Sequence, residues 1–192
     1  MKSEHASLQH RPFLIPIWLT AIAVIAAFAV FSLAVVTVWV WFTANSTTIV
    51  IIRHAEKESA SEPDPALSVA GEARAALLAR MFGDAQGAGH LDAIYVSDTL
   101  RSRQTAAPLA ARLQLTPIVD GADDPKKLAR RALRENRGKR VMIIGHVNTV
   151  PEIVAILSDR SDIPKIDEHD FGSMYVVTVP RIGHPNLVRL SY

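Results

Sequence analysis

Thr47-Thr48-Ile49-Val50-Ile51-Ile52-Arg53-His54-Ala55-Glu56 is the stretch from which the fold is read. Four β-branched apolar residues in succession predict a short strand buried on both faces, as in the interior of a parallel sheet. The apolar run stops at an arginine, a histidine and a glutamate. Ligands in open α/β sheets bind outside the carboxyl ends of the strands, so a polar cluster there is placed for function. A second run, Val141-Met142-Ile143-Ile144, ends the same way in Gly145-His146. Two buried strands therefore deliver His54 and His146 towards one pocket.

Working outward, strands alternate with helical segments. Ser68 is a predicted N-cap for a helix running through Phe82, and the glycines from Gly83 to Gly89 break it. Leu91–Val96 reads as a strand, followed by a helix to Leu113 in which Pro108 predicts a kink or a late start. Thr116–Asp120 is a short strand. Asp124-Pro125 combines an N-cap with proline at the first helical position, and Gly138 ends that helix. Arg140–Ile144 is the next strand. A helix over Asn148–Leu157 and closing strands at Met174–Val179 and Leu187–Leu190 complete the chain. The pattern predicts a three-layer α/β/α domain with a mostly parallel central sheet.

The 26 residues from Ile17 to Phe42 carry no charge. About 20 apolar residues suffice to span a bilayer as a helix. Trp18 near one end and Trp39 and Trp41 near the other are placed as interfacial aromatics. A cleaved signal has a shorter apolar region, about 7–15 residues, and small residues where Trp41-Phe42 stand. The expected organisation is an N-terminal cytoplasmic tail (1–16), a single transmembrane helix (17–42) and a catalytic domain (43–192). Lys2 and Arg11 precede the apolar run and no basic residue lies between Phe42 and Arg53, so the positive-inside bias places the domain outside the cytoplasm, in the periplasm.

Net charge is +2 and there are no cysteines. No basic stripe interleaved with aromatics is present, which argues against nucleic acid as a partner. Disulfides, thiolate catalysis and cysteine zinc sites are excluded. His90, His169 and His184 show no metal-ligand spacing, so neither metal nor cofactor is expected.

Arg53-His54-Ala55-Glu56 resembles the first motif of the histidine phosphatase superfamily, whose fold is phosphoglycerate mutase-like; Ala55 replaces that motif's usual glycine. Ser97-Asp98-Thr99-Leu100-Arg101 with Gln104-Thr105-Ala106 resembles the second motif, and Gly145-His146 the third. The resemblance spans Ile49 to Val179 and points to a small phosphatase branch. It implies that His54 is a nucleophile that accepts a phosphoryl group, and that Arg53, Arg101 and His146 hold the phosphate oxygens. Arginine suits that task because its planar donors match phosphate oxygens in pairs. Phosphoryl transfer is catalysed mainly by positioning and charge stabilisation, which a fixed cationic pocket supplies.

Glu56 is a candidate substrate contact, a pocket-orienting group or a simple counter-charge to Arg53. The resemblance implies a carboxylic acid that protonates the leaving group, often from the loop after the third strand; Asp120, Asp123 and Asp124 are the acids there, Asp124 being better explained as the N-cap. Asn148 is a pocket residue or the cap of its helix, the cap being preferred. The chain is too short for a large lid insertion, which favours a compact phosphatase over a mutase. The expected function is a membrane-anchored phosphomonoester hydrolase acting on a phosphorylated small molecule or sugar, including envelope sugars such as those of the lipopolysaccharide core. The alternatives are a protein phosphohistidine phosphatase and a non-catalytic phospholigand-binding domain.

Overall fold

The structure, a computed structural model, describes residues 17–44, 46–58, 63–84, 89–121 and 123–192. The expected tail 1–16 lies outside the described residues, as do 59–62 of the acidic loop and 85–88 of the glycine-rich break. The boundary between two compact units falls between Val40 and Trp41.

Helix α1 (Ile17–Ala44) is apolar on every side. Its Trp18–Trp41 portion has a mean hydropathy of 2.7 and contains no buried residue. At about 1.5 Å per residue the helix is about 42 Å long, enough to cross a bilayer core.

The second unit follows the predicted alternation: β1 (Thr47–Arg53), α2 (Val69–Gly83), β2 (Ala93–Val96), α3 (Leu100–Leu113), β3 (Ile118–Val119), α4 (Pro125–Glu135), β4 (Arg140–Gly145), α5 (Thr149–Ser158), β5 (Ser173–Val179) and β6 (Asn186–Ser191). The six strands form one sheet in the order β3-β2-β4-β1-β5-β6. The first four are mutually parallel, β5 is antiparallel to β1, and β6 is antiparallel to β5.

Strand β1 lies between β4 and β5, which is why its sequence is apolar on both faces. Ile49 and Ile51 pack into one core with α4 and α5, while Val50 and Ile52 pack into a second with α2 and α3. The result is the three-layer sandwich. Each fully buried aliphatic side chain contributes about 1.5–3 kcal/mol, and a one-residue slip would exchange the two faces, so the register of β1 is strongly held.

Capping follows the sequence where a side chain reaches its own helix. The Ser68 hydroxyl accepts from Gly71 N–H, and the Asp124 carboxylate accepts from Lys127 N–H. Two expectations change. Helix α3 starts at Leu100 and passes through Pro108 with the proline exposed, so there is no late start. Asn148 occupies the N-cap position of α5 without a capping side-chain bond; the Thr149 hydroxyl instead accepts from His146 N–H.

Candidate active site

Three parallel strands end level with one another. Arg53 of β1 pairs with Gly145 of β4, and Val96 of β2 pairs with Ile144. The next residue on each strand is therefore His54, Ser97 or His146, and the three stand in a row at the carboxyl edge of the sheet. His54 N–H donates to the Gly145 carbonyl at 2.9 Å, which extends the ladder by one residue.

The His54 ring is 5.2 Å from that of His146, edge to face, and both residues are buried. His54 Nδ1 lies 2.8 Å from the Ala55 carbonyl oxygen. A carbonyl only accepts, so Nδ1 carries the proton and Nε2 keeps its lone pair. Burial lowers the His54 pKa from 6.5 to about 4; the Ala55 carbonyl opposes this, and His146, Arg101 and Arg53 add to it. The ring is therefore neutral near pH 7. The His146 pKa is also lowered, first by burial and then by Arg101.

Arg101, one turn into α3, donates from Nε to His54 Nε2 at 3.3 Å and from an Nη to Asp64 at 3.3 Å. Arg53 is 7 % exposed, and its guanidinium stacks 3.9 Å from the centroid of Phe171. One of its Nη atoms donates to the carbonyls of Asp167, Glu168 and Asp170, at 3.3, 2.7 and 3.3 Å. Its Nε is buried without a partner among the described residues. Burial lowers the Arg53 pKa, against the raising influence of Glu168, Asp170 and Asp167.

The second motif is explained by its hydrogen bonds. The Ser97 hydroxyl lies 2.9 Å from His146 Nε2 and donates to Ser102 at 2.8 Å, so His146 Nε2 is the donor to Ser97. The Thr105 hydroxyl accepts from Ala55 N–H at 3.0 Å and donates to the Arg101 carbonyl at 2.7 Å. Gln104 accepts from Leu67 N–H at 2.8 Å. The motif thus ties α3 to both histidine loops and to the segment before α2. Ala55 is wholly buried against Leu67 and Ala75, and its φ is not positive, so the methyl group that replaces the motif's usual glycine strains nothing. At Gly71 a Cβ would overlap the Glu56 carbonyl oxygen, which is why α2 carries a glycine in its first turn where it crosses this loop.

A cavity of about 750 Å³ opens above the four central residues. His54, His146, Arg53 and Arg101 all line it. Glu56 does not: its carboxylate is held by Arg74, with contacts of 2.6–2.9 Å. Burial would raise the Glu56 pKa, but the Arg74 hydrogen bonds outweigh it and the net shift is downward. Glu56 is therefore Arg74's partner, and the reading as a substrate contact is set aside. Asp120 pairs with Arg131 at 3.0 Å, and Asp124 caps α4; only Asp123 of that trio reaches the cavity. Asn148 also lines it.

Asp64 and the segment 167–171 were missed from sequence. Asp64 accepts from Leu100 N–H at 2.9 and 3.0 Å, capping α3 from a distant loop, while also holding Arg101. The segment 167–171 acts on Arg53 mainly through main-chain carbonyls, which any sequence possesses; its one side-chain signal is Phe171, an aromatic after an acidic run.

Residues 49–122 match the family model of the histidine phosphatase superfamily, branch 1. This segment is similar to that superfamily. Solved structures of similar fold include the protein histidine phosphatase SixA complexed with tungstate, at 20 % identity and TM-score 0.59, covering 75 % of this chain and 96 % of that one. A mycobacterial glucosyl-3-phosphoglycerate phosphatase matches at 15 % identity and TM-score 0.59, over 74 % of this chain and 97 % of its own. A mutant phosphoserine phosphatase from Entamoeba histolytica in complex with phosphoserine matches at 16 % and 0.58, over 74 % and 95 %. No curated protein matches the sequence. In this histidine phosphatase fold the second motif lies inside the matched segment, whereas His146 and the 167–171 segment lie beyond it.

Proposed function

We propose that the chain is a membrane-anchored phosphomonoester hydrolase that works through a phosphohistidine on His54. The observation that carries this reading is the His54 Nε2 lone pair, fixed by the Nδ1–carbonyl bond and faced by the Arg101 guanidinium at 3.3 Å. The SixA neighbour's tungstate is a tetrahedral oxyanion, the kind of group this pocket is read as holding.

A phosphate monoester enters with its oxygens towards Arg53 and Arg101, beside the His146 ring. Arg101 transfers its hydrogen bond from Nε2 to a phosphoryl oxygen, which frees the lone pair. Nε2 attacks phosphorus, the N–P bond forms, and the P–O bond to the leaving group breaks. The departing oxygen takes a proton from Asp123, the acid of the 120–124 loop that reaches the cavity. The phosphorylated ring is cationic, and its Nδ1–H donation to Ala55 stabilises that charge. Water then attacks phosphorus, gives a proton back to Asp123, and releases phosphate with His54 neutral.

The apolar α1 is the proposed anchor, and the charges flanking it favour a domain outside the cytoplasm. Substrates would then be phosphorylated envelope components such as sugars. A protein phosphohistidine phosphatase is the second reading; the SixA neighbour, matched over 96 % of its length, supports it. A topology reporter fused after Tyr192 separates the two, since the second needs a cytoplasmic domain. The hydrolase reading is tested with the purified full-length chain and with His54→Ala on a panel of phosphomonoesters and phosphohistidine. Turnover that disappears in the variant supports it. Phosphate binding without turnover in the wild type would make this a non-catalytic phospholigand-binding domain.

A further inference from the structure

The walls of the cavity differ in charge from its floor. Besides Asp123, the proposed proton donor, Glu58, Asp98 and Glu168 line it around the phosphate-facing residues, against a single Lys57. These three acids are exposed, and none makes an ion pair with another described residue. This is unlike the acids around them. Glu56, Asp64, Asp120 and Asp170 are each paired with an arginine: Arg74, Arg101, Arg131 and Arg189 respectively. The domain therefore neutralises the carboxylates beside the cavity and leaves those on its wall without an ion pair among the described residues. The floor carries the opposite excess, in Arg53 and Arg101. Asp98 and Glu168 are near enough to act as negative charges on His146 and Arg53.

We infer that, if the site hydrolyses phosphomonoesters, its substrate carries a cationic group on the leaving-group side of the phosphate. An ammonium in the leaving group meets the wall carboxylates while the phosphate meets the arginines. A leaving group bearing a carboxylate or a second phosphate is repelled by the same wall. The cavity volume is within the roughly 300–1,000 Å³ of small-molecule sites, so the ligand class is a small amino-bearing phosphate ester. Interactions between such exposed charges are weakened by solvent and salt but add over several groups.

The experiment uses the full-length chain in detergent micelles and compares kcat/KM for phosphoethanolamine and 2-phosphoglycolate. The two differ in carrying an ammonium or a carboxylate at the same distance from the ester oxygen. Their intrinsic reactivities cancel when the ratio is compared between wild type and variants. Glu58→Gln/Glu168→Gln is expected to lower the phosphoethanolamine preference roughly five-fold. Glu58→Lys/Glu168→Lys is expected to lower it further, and added salt to compress the difference. A ratio unchanged in both variants overturns the inference. p-Nitrophenyl phosphate is run alongside: without turnover lost in His54→Ala, the hydrolase reading fails by itself. Calorimetric affinities for the same two molecules then decide the charge preference alone, with equal affinities counting against it.

Discussion

The Nε–H of Arg101 donates to the Nε2 of His54 across 3.3 Å. The cation that would neutralise the transferring group is thus held by the proposed nucleophile itself. Removing it with Arg101→Ala is expected to lower kcat/KM by about 10²–10³, the usual effect of losing a transition-state donor. Arg101→Lys should recover only part of this, because an ammonium cannot hold two phosphoryl oxygens in a fixed fork. Full activity in Arg101→Ala would remove the residue from the mechanism.

The lowered pKa of His54 ties stability to pH. The unfolded chain takes up the proton near pH 6.5, whereas the folded chain resists it until about pH 4. Between those values the unfolded state binds more protons, so stability falls as pH falls. The contribution is complete above about 6.5 and amounts to about 3 kcal/mol, and it is lost as pH approaches 4. Denaturant midpoints of wild type should decline across this window more steeply than those of His54→Asn. Parallel curves would show that His54 titrates normally.

Thr105 satisfies the buried Ala55 N–H and bonds the Arg101 carbonyl. Thr105→Val keeps the shape and removes both bonds, leaving a buried donor unpaired at a cost of about 1–3 kcal/mol. Thr105→Ser should stay near wild type. A melting-temperature comparison checks this, and equal melting of the Val and Ser forms would contradict the assignment.

Asp64 performs two tasks that substitution can separate. Asp64→Asn retains an oxygen for the Leu100 N–H but loses the charge beside Arg101, so stability should hold while KM for phosphate esters changes. Asp64→Ala should in addition lose about 1 kcal/mol of stability, the usual worth of a helix cap. If both variants melt alike, the capping role is refuted.

Much of the domain was legible because its signals are local. Ile49–Ile52 had to be a central strand, since four apolar side chains pointing both ways need cover on both faces. Ser68 and Asp124 were legible as caps because each bonds a main-chain N–H three residues on. Asn148 misled for the same reason: it has a capping residue type at a capping position, but a pocket lies beside it. Pro108 signalled a boundary, yet the buried residues of α3 continue past it to Leu109 and Ala110, and packing there outweighed the local preference.

The sequence by itself determined the strand and helix order, the apolar α1 and the residues His54, Arg53, Arg101 and His146, because strand ends and motif spacing place polar residues at one edge of a parallel sheet. Only the tertiary structure decided how those side chains are held. Glu56 turned to Arg74, eighteen residues away along the chain, and Arg53 was held by carbonyls 114 to 117 residues away. Asp64 reached across thirty-six residues to cap α3. Such partners are selected by proximity after folding, and a main-chain carbonyl bears no mark of its residue, so no local pattern could have announced them.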